Sequence, residues 1–273
     1  MPPKRKPPAC ALSIAGSDSG GGAGLQADQR AMEALGVHAG CALTAITAQN
    51  TRGVQAIQPV SADLLKTQLS AVLADLPIRA AKTGLLTGAA QIRCIARILK
   101  HHPRLPLVVD PVLVSSSGTR FLPGTALVVL KRELLPLATL VTPNLPELAL
   151  LSGLPTGNRD QVLLAAARLA TDCGCLVLAK GGHAAGSSST DLLVGPSGLL
   201  RCYASRRIQT RNTHGTGCTL SAAITAGLAQ GQPLQEAIAQ AKRLLTNSLR
   251  LHRSLRMGLG HGPALPGCRP RLR

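Results

Sequence analysis

Ala9-Cys10-Ala11-Leu12-Ser13-Ile14-Ala15 is an apolar run of strand length. It is followed by a glycine-rich loop, Gly16-Ser17-Asp18-Ser19-Gly20-Gly21-Gly22-Ala23-Gly24. Gln26 to Leu35 then carries apolar residues at helical spacing, and Cys41 to Ala48 is a second strand-length run. Strand, helix and strand in this succession imply a right-handed crossover between parallel strands. The same rhythm extends outward through Ala62 to Leu73, Ala80 to Lys82, Ala90 to Leu99 and Leu107 to Asp110. It continues through Thr125 to Leu134, Leu140 to Thr142, Arg159 to Thr171 and Leu176 to Lys180, with helices after Cys218 and Leu234. The pattern predicts one α/β domain, a three-layer α/β/α sandwich around a mostly parallel central sheet. The domain is expected over residues 9–262, with a basic, proline-rich, disordered tail at 1–8 and a second basic tail at 263–273.

In sheets of this kind ligands bind beyond the carboxyl ends of the strands. Polar residues lie where that rule asks for them: Asp18, then Gln49 and Asn50, Lys82, Asp110, Asn144 with Glu147, and Lys180-Gly181-Gly182-His183. Each alone could be a turn former or a solvated charge. Their shared place at successive strand ends predicts one common rim.

The chain of 273 residues carries 30 Lys+Arg against 12 Asp+Glu, a net charge of +18. Nine of the basic residues lie in the termini: Lys4, Arg5, Lys6, Arg250, Arg253, Arg256, Arg269, Arg271 and Arg273. The body keeps 21 against 12, a net +9. With one Phe, one Tyr and no Trp there is almost nothing for bases to stack on, so nucleic acid is not the expected partner. A basic body suits small anionic substrates equally well. No stretch approaches the roughly 20 apolar residues of a membrane span, and the run from Ala9 is too short for a signal peptide. A cytoplasmic protein with no membrane partner is expected. Cys10, Cys41, Cys94, Cys173, Cys175, Cys202, Cys218 and Cys268 form no C-x-x-C pair, so neither a zinc site nor a disulfide framework is indicated.

Two nucleotide motifs can be weighed. Gly22-Ala23-Gly24-Leu25-Gln26-Ala27 satisfies G-x-G-x-x-A after a strand, but the second strand ends in Thr47-Ala48-Gln49-Asn50, without the carboxylate that would hold a ribose. No G-x-x-x-x-G-K-[ST] is present, which removes a P-loop. Asn212-Thr213-His214-Gly215-Thr216-Gly217-Cys218-Thr219-Leu220-Ser221 is a glycine-punctuated turn running into an alanine-rich helix expected from about Cys218. Free N–H groups and the positive end of a helix dipole suit a phosphoryl group there, although an ordinary capped helix would use similar residues.

Taken together, 15–24 with Gln26-Ala27-Asp28, 44–53 (TAITAQNTRG), Asp110-Pro111-Val112, 142–147 (TPNLPE), 180–183 (KGGH) and 212–221 (NTHGTGCTLS) resemble the hydroxymethylpyrimidine and phosphomethylpyrimidine kinases of thiamine biosynthesis. These belong to the ribokinase-like superfamily, and the resemblance runs from about Ala11 to Gly262. It implies ATP-dependent phosphorylation of 4-amino-5-hydroxymethyl-2-methylpyrimidine, then of its monophosphate. It also implies magnesium, room for a monovalent cation, and a homodimer. Gln49 becomes the main pyrimidine-recognition residue, because its amide offers a donor beside an acceptor. Gly16, Asp28, Leu85 and Val112 join it there.

By the same resemblance Asn144, Lys180 and Thr213 serve the nucleotide, and Asp110 and Glu147 the magnesium ion. Gly215, Thr216 and Gly217 form the anion hole, beside Lys180. Many sugar kinases of the superfamily carry an aspartate where this chain has Cys218. A thiol at a helix N-terminus can have a lowered pKa, so Cys218 is expected as base or hydroxyl-positioning residue. Two departures stand out: Leu85 where the family usually has methionine, and Thr119 where an acid is frequent. Thr119 lies in Ser115-Ser116-Ser117-Gly118-Thr119-Arg120, a candidate phosphate lid. A pyridoxal or pyridoxine kinase of the same fold and a non-catalytic pyrimidine-binding regulator are the alternatives.

Overall fold

The computed structural model describes residues 7–113, 121–183 and 186–268. The basic residues Lys4 to Lys6, the candidate lid with Thr119, and Arg269 to Arg273 lie outside the described residues. The sheet begins with β1 (Cys10–Asp18), β2 (His38–Asn50) and β3 (Gly53–Pro59), and β4 (Ile78–Thr83), β5 (Leu107–Val109) and β6 (Leu140–Val141) follow. It ends with β7 (Leu176–Ala179), β8 (Ser188–Gly195) and β9 (Gly198–Arg206). Strand order is β3-β2-β1-β4-β5-β6-β7-β8-β9. The six strands from β2 to β7 in that order pair parallel, while β3, β8 and β9 are antiparallel additions at the edges.

Central strands are apolar without alternation because helices cover both faces. On one face lie α2 (Ala62–Asp75), α3 (Ala89–Leu99), α4 (Gly124–Val129), α5 (Leu145–Ser152) and α6 (Arg159–Cys173). Leu65, Ile92, Ala126, Leu148 and Leu169 pack there with Leu12, Val109 and Val177 of the sheet. On the other lie α1 (Gly24–Glu33), α7 (Thr216–Ala229) and α8 (Leu234–Leu251), joined through Ala31, Ala222, Ile224 and Ile238 to Ala11, Ala80 and Val108. The three-layer α/β/α expectation holds.

α7 is buried almost throughout. Its small side chains let it lie between α1 and α8; a β-carbon on Gly227 would come within 2.7 Å of Ala237 Cβ. This buried helix starts at the carboxyl edge of the sheet and fixes the site. Its first helical residue is Thr216, two positions before the expected start. The chain also stays on the body beyond Gly262. His214 N–H donates to Gly262 O at 3.0 Å, Ala264 N–H donates to His214 O at 2.9 Å, and Gly262 to Ala264 are buried. Among the described residues no helix is long and apolar enough to cross a membrane.

Candidate active site

Asp110 follows β5, Thr142 follows β6 and Lys180 follows β7, and the parallel register brings them together. Lys180 Nζ lies 2.8 Å from Asp110 Oδ1, and Thr142 Oγ1 donates to the same oxygen at 3.2 Å. Asp110 Oδ2 receives only Ser221 Oγ, at 3.3 Å, among the described residues. Burial pushes the Asp110 carboxyl up, but Lys180 and Lys82 outweigh it and hold it below its ordinary value. Burial pulls Lys180 down, and Asp110 with Glu147 more than restores it. The pair is charged at neutral pH.

The start of α7 faces this pair. A β-carbon on Gly217 would sit 3.2 Å from Lys180 Nζ and 3.6 Å from Asp110 Oδ2. Gly215 caps the helix at φ 77, and a side chain there would overlap the Gly22 carbonyl, so only glycine fits the join between the two loops. The cap makes no side-chain hydrogen bond, and the N–H groups of Gly217 and Cys218 have no acceptor among the described residues. Those donors and the helix dipole form the anion site expected there. Thr213 is exposed beside it, its carbonyl accepting from Thr216 N–H at 3.3 Å.

Glu147 stands at the third helical position of α5 in a capping box with Asn144. Asn144 Oδ1 accepts from Glu147 N–H and Glu147 Oε2 accepts from Asn144 N–H, both at 2.9 Å. Its other oxygen accepts from Leu113 N–H at 3.3 Å. Burial pushes this carboxyl up; Lys180 opposes and Asp110 adds to the rise. No group of three His, Cys, Asp or Glu that could enclose a metal occurs among the described residues. Two acids beside a lysine suit an ion such as magnesium, which keeps water and takes most of its ligands from phosphate.

At the β1–β2 end, half-buried Gln49 is tied by its backbone to Ser19, with Gln49 N–H donating to Ser19 Oγ and Ser19 Oγ donating to Gln49 O, both at 2.8 Å. Gly16 packs directly on Leu85, whose Cδ2 would lie 2.8 Å from a β-carbon at 16. Val112 holds φ 40, a conformation L residues rarely adopt, and lies next to Leu113, which donates to Glu147. Asp18 accepts from Gly20, Gly22 and Ala23 N–H groups and pairs with His214 at 2.8 Å. In the sequence Asp18 stands out only as a rim residue and His214 only as part of a motif. Their pairing, 196 residues apart, had no local signal.

Two expectations are corrected. Asp28 does not open onto a ligand. It is fully buried with Lys82, whose Nζ reaches both its oxygens at 2.8 and 2.9 Å, and Ser13 Oγ donates to Oδ2. Asp28 lies on the inward stripe of α1 with Ala27 and Ala31, so its carboxylate points under the site. Nor is the Cys218 thiol activated. Burial pushes it up to about 12; Lys82 and the Gly24 N–H pull the other way, while Asp28 and Asp110 add to the rise. The helix-start effect loses to burial beside two carboxylates.

A sequence profile of the phosphomethylpyrimidine kinase family matches residues 18–265. A hydroxymethylpyrimidine/phosphomethylpyrimidine kinase of Rhizobium meliloti is 48% identical over 256 residues, covering 93% of this chain and 96% of its own. One from Mycobacterium leprae is 43% identical over 270 residues, with 97% and 96% covered. Among solved structures, phosphomethylpyrimidine kinase from Clostridium difficile superposes with TM-score 0.77 at 38% identity, over 88% of this chain and 99% of that one. Bacillus subtilis pyridoxal kinase with ADP superposes with TM-score 0.86 at 34% identity, over 93% and 96%. The fold is thus ribokinase-like, the motifs at its rim are those of a kinase, and the chain belongs to the phosphomethylpyrimidine kinase family.

Proposed function

We propose that the chain is an ATP-dependent kinase that phosphorylates 4-amino-5-hydroxymethyl-2-methylpyrimidine and then its monophosphate to the diphosphate, in thiamine biosynthesis. One observation carries this reading: the charged Lys180–Asp110 pair lies against the unpartnered N–H groups of Gly217 and Cys218, on the rim that also presents the Gln49 amide. A binding protein has no need of the first group, and a general phosphatase or ATPase has no need of the second.

Phosphoryl transfer depends mainly on positioning and on neutralising charge. Lys180, Asn144 and Thr213 receive the nucleotide phosphates. Gly215, Thr216 and Gly217, with the N–H groups of Gly217 and Cys218, hold the migrating group. Asp110 and Glu147 would hold magnesium, which when bound would neutralise phosphate charge. Gln49 reads the aminopyrimidine, with Gly16, Leu85 and Val112 walling the pocket. Cys218 remains a thiol at neutral pH and positions the acceptor oxygen; a loose transition state demands little from a base. The enzyme acts in the cytoplasm as a homodimer.

The test is coupled ATP consumption with the hydroxymethyl pyrimidine, the phosphomethyl pyrimidine and pyridoxal, each with and without magnesium. Magnesium-dependent turnover of both pyrimidines, exceeding that of pyridoxal, is expected. Turnover of neither pyrimidine overturns the reading. Preference for pyridoxal would favour the second reading, to which the superposition on Bacillus subtilis pyridoxal kinase lends support.

A further inference from the structure

Asp18, Thr47, Gln49 and His214 meet at the open end of β1 and β2, and their hydrogens can be counted. Asp18 Oδ2 accepts from Gly22 and Ala23 N–H groups at 2.9 and 2.8 Å and lies 2.8 Å from His214 Nε2. Burial pushes the Asp18 carboxyl up, but hydrogen bonds from His214, Ala23 and Gly20 outweigh it and leave it below its ordinary value. An ionised carboxylate can only accept, so His214 Nε2 carries the hydrogen and has no lone pair to offer.

The Gln49 amide sits against the same nitrogen. Its Nε2 lies 3.2 Å from His214 Nε2, and its Oε1 lies 3.4 Å from Thr47 Oγ1. In that orientation both contacts fail. Two N–H groups oppose each other, and the Thr47 hydroxyl hydrogen is already committed to Ser17 O at 2.8 Å, which leaves only lone pairs facing Gln49 Oε1. Amide oxygen and nitrogen are nearly equal in size, so turning the group over costs no space: Nε2 then donates to Thr47 Oγ1, and Oε1 faces the His214 Nε2–H as a second, weaker acceptor beside Asp18 Oδ2 instead of opposing it with another N–H.

We propose that His214, itself held by Asp18, acts with Thr47 to fix the Gln49 amide in one orientation, Oε1 sharing the His214 Nε2–H with Asp18 Oδ2 in a three-centre bond and Nε2 donating to Thr47 Oγ1. His214 is then a positioning residue for substrate recognition. Its place is firm: the backbone bonds to Gly262 and Ala264 clamp it, and Gly22 packs against the ring so closely that a β-carbon at 22 would overlap His214 Cδ2. Of the two Oε1 lone pairs and two Nε2 hydrogens, one of each remains. The free edge therefore presents an acceptor and a donor in fixed order, matching an exocyclic amine beside a ring nitrogen. A freely turning amide would match that edge half the time, and the reversed one would leave polar groups unpaired.

The inference rests on Gln49 being the pyrimidine-recognition residue, and the experiment separates the two. Steady-state kinetics are measured for His214→Leu, His214→Gln, Thr47→Val, Gln49→Ala and the double variant Gln49→Ala/His214→Leu. His214→Leu and Thr47→Val should raise the aminopyrimidine KM on the order of 10-fold, far more than they alter kcat or the ATP KM. His214→Gln keeps an N–H donor and should recover most of the loss. The double variant should bind no more weakly than Gln49→Ala, because there is no longer an amide to orient. An unchanged KM in Gln49→Ala would overturn the recognition reading itself. A raised KM in Gln49→Ala, with His214→Leu either silent or fully additive in the double variant, would overturn the positioning role alone.

Discussion

Among the described residues, two lysine–aspartate pairs share the same 2.8 Å contact and have opposite surroundings. Lys82 and Asp28 are both 0% exposed, and every Asp28 oxygen is committed to Lys82 or Ser13. Lys180 keeps 13% of its side chain exposed, and Asp110 Oδ2 retains spare acceptor capacity beside the free N–H groups of α7. The contact alone does not separate structural from chemical use. What separates them is whether the donors and acceptors around the pair are all taken. The closed pair lies between α1 and β4 and sets the charge beneath Cys218; the open pair can exchange partners with phosphate and its ion.

The largest expected effect breaks the closed pair. Lys82→Met leaves Asp28 buried without its cation and should lower stability by about 3–5 kcal/mol in urea unfolding. Lys180→Met should lose less stability, yet lower kcat on the order of 10²–10³-fold by removing a fixed charge from the phosphate path. If Lys82→Met folded as stably as the parent, or Lys180→Met turned over normally, the contrast would fail.

Much of this contrast was out of reach of the sequence. Lys180 and Asp110 were legible because each is the first residue beyond an apolar strand, where ligands bind. Lys82 was read by the same rule, but it is the last residue but one inside β4 and shares a face with Ala80, toward α1 and α7. A shift of one position at a strand end changes the face entirely. Its partner Asp28 is 54 residues away, with nothing local to announce the pairing. The antiparallel edges were missed for a different reason: β3 and β9 are largely exposed and mix polar with apolar residues, so they lack the continuous apolar run of the central strands. The helical turns that follow α4 run three residues past the expected 125–134, through a 3-10 turn at Leu135–Leu137 with Pro136 in its first positions.

Cys218 lies between the two pairs and gives an intermediate effect. Lys82, Asp28 and Asp110 all act on it, and its thiol stands at about 12. Loss of a true general base costs roughly 10²–10⁴-fold. A thiol that only positions the acceptor oxygen should matter less, so Cys218→Ala is expected to lower kcat by about 10-fold and Cys218→Ser by less. The pH–rate profile should show no limb that disappears in Cys218→Ser. A fall of about 10³-fold or more in Cys218→Ala would restore the base role and make the charge beneath it part of the chemistry.

The smallest effect separates the pairs by sign. At Asp110 burial raises the carboxyl pKa, but Lys180 and Lys82 outweigh it, so the folded value lies below the ordinary 3.8. On acidification the unfolded chain takes the proton first. The contribution is therefore fully present above the unfolded pKa and is lost as pH falls through the folded one. At Asp28 burial outweighs Lys82, and the carboxyl titrates above 3.8. There the folded chain takes the proton first, so ionised Asp28 costs stability at neutral pH, and that cost fades as pH falls through the raised folded value. Urea midpoints followed from about pH 6 to about pH 3.5 should accordingly decline less steeply in Asp110→Asn than in the parent, and more steeply in Asp28→Asn. A change of the same direction in both variants would mean that the closed and open pairs differ in exposure but not in how burial and charge balance within them.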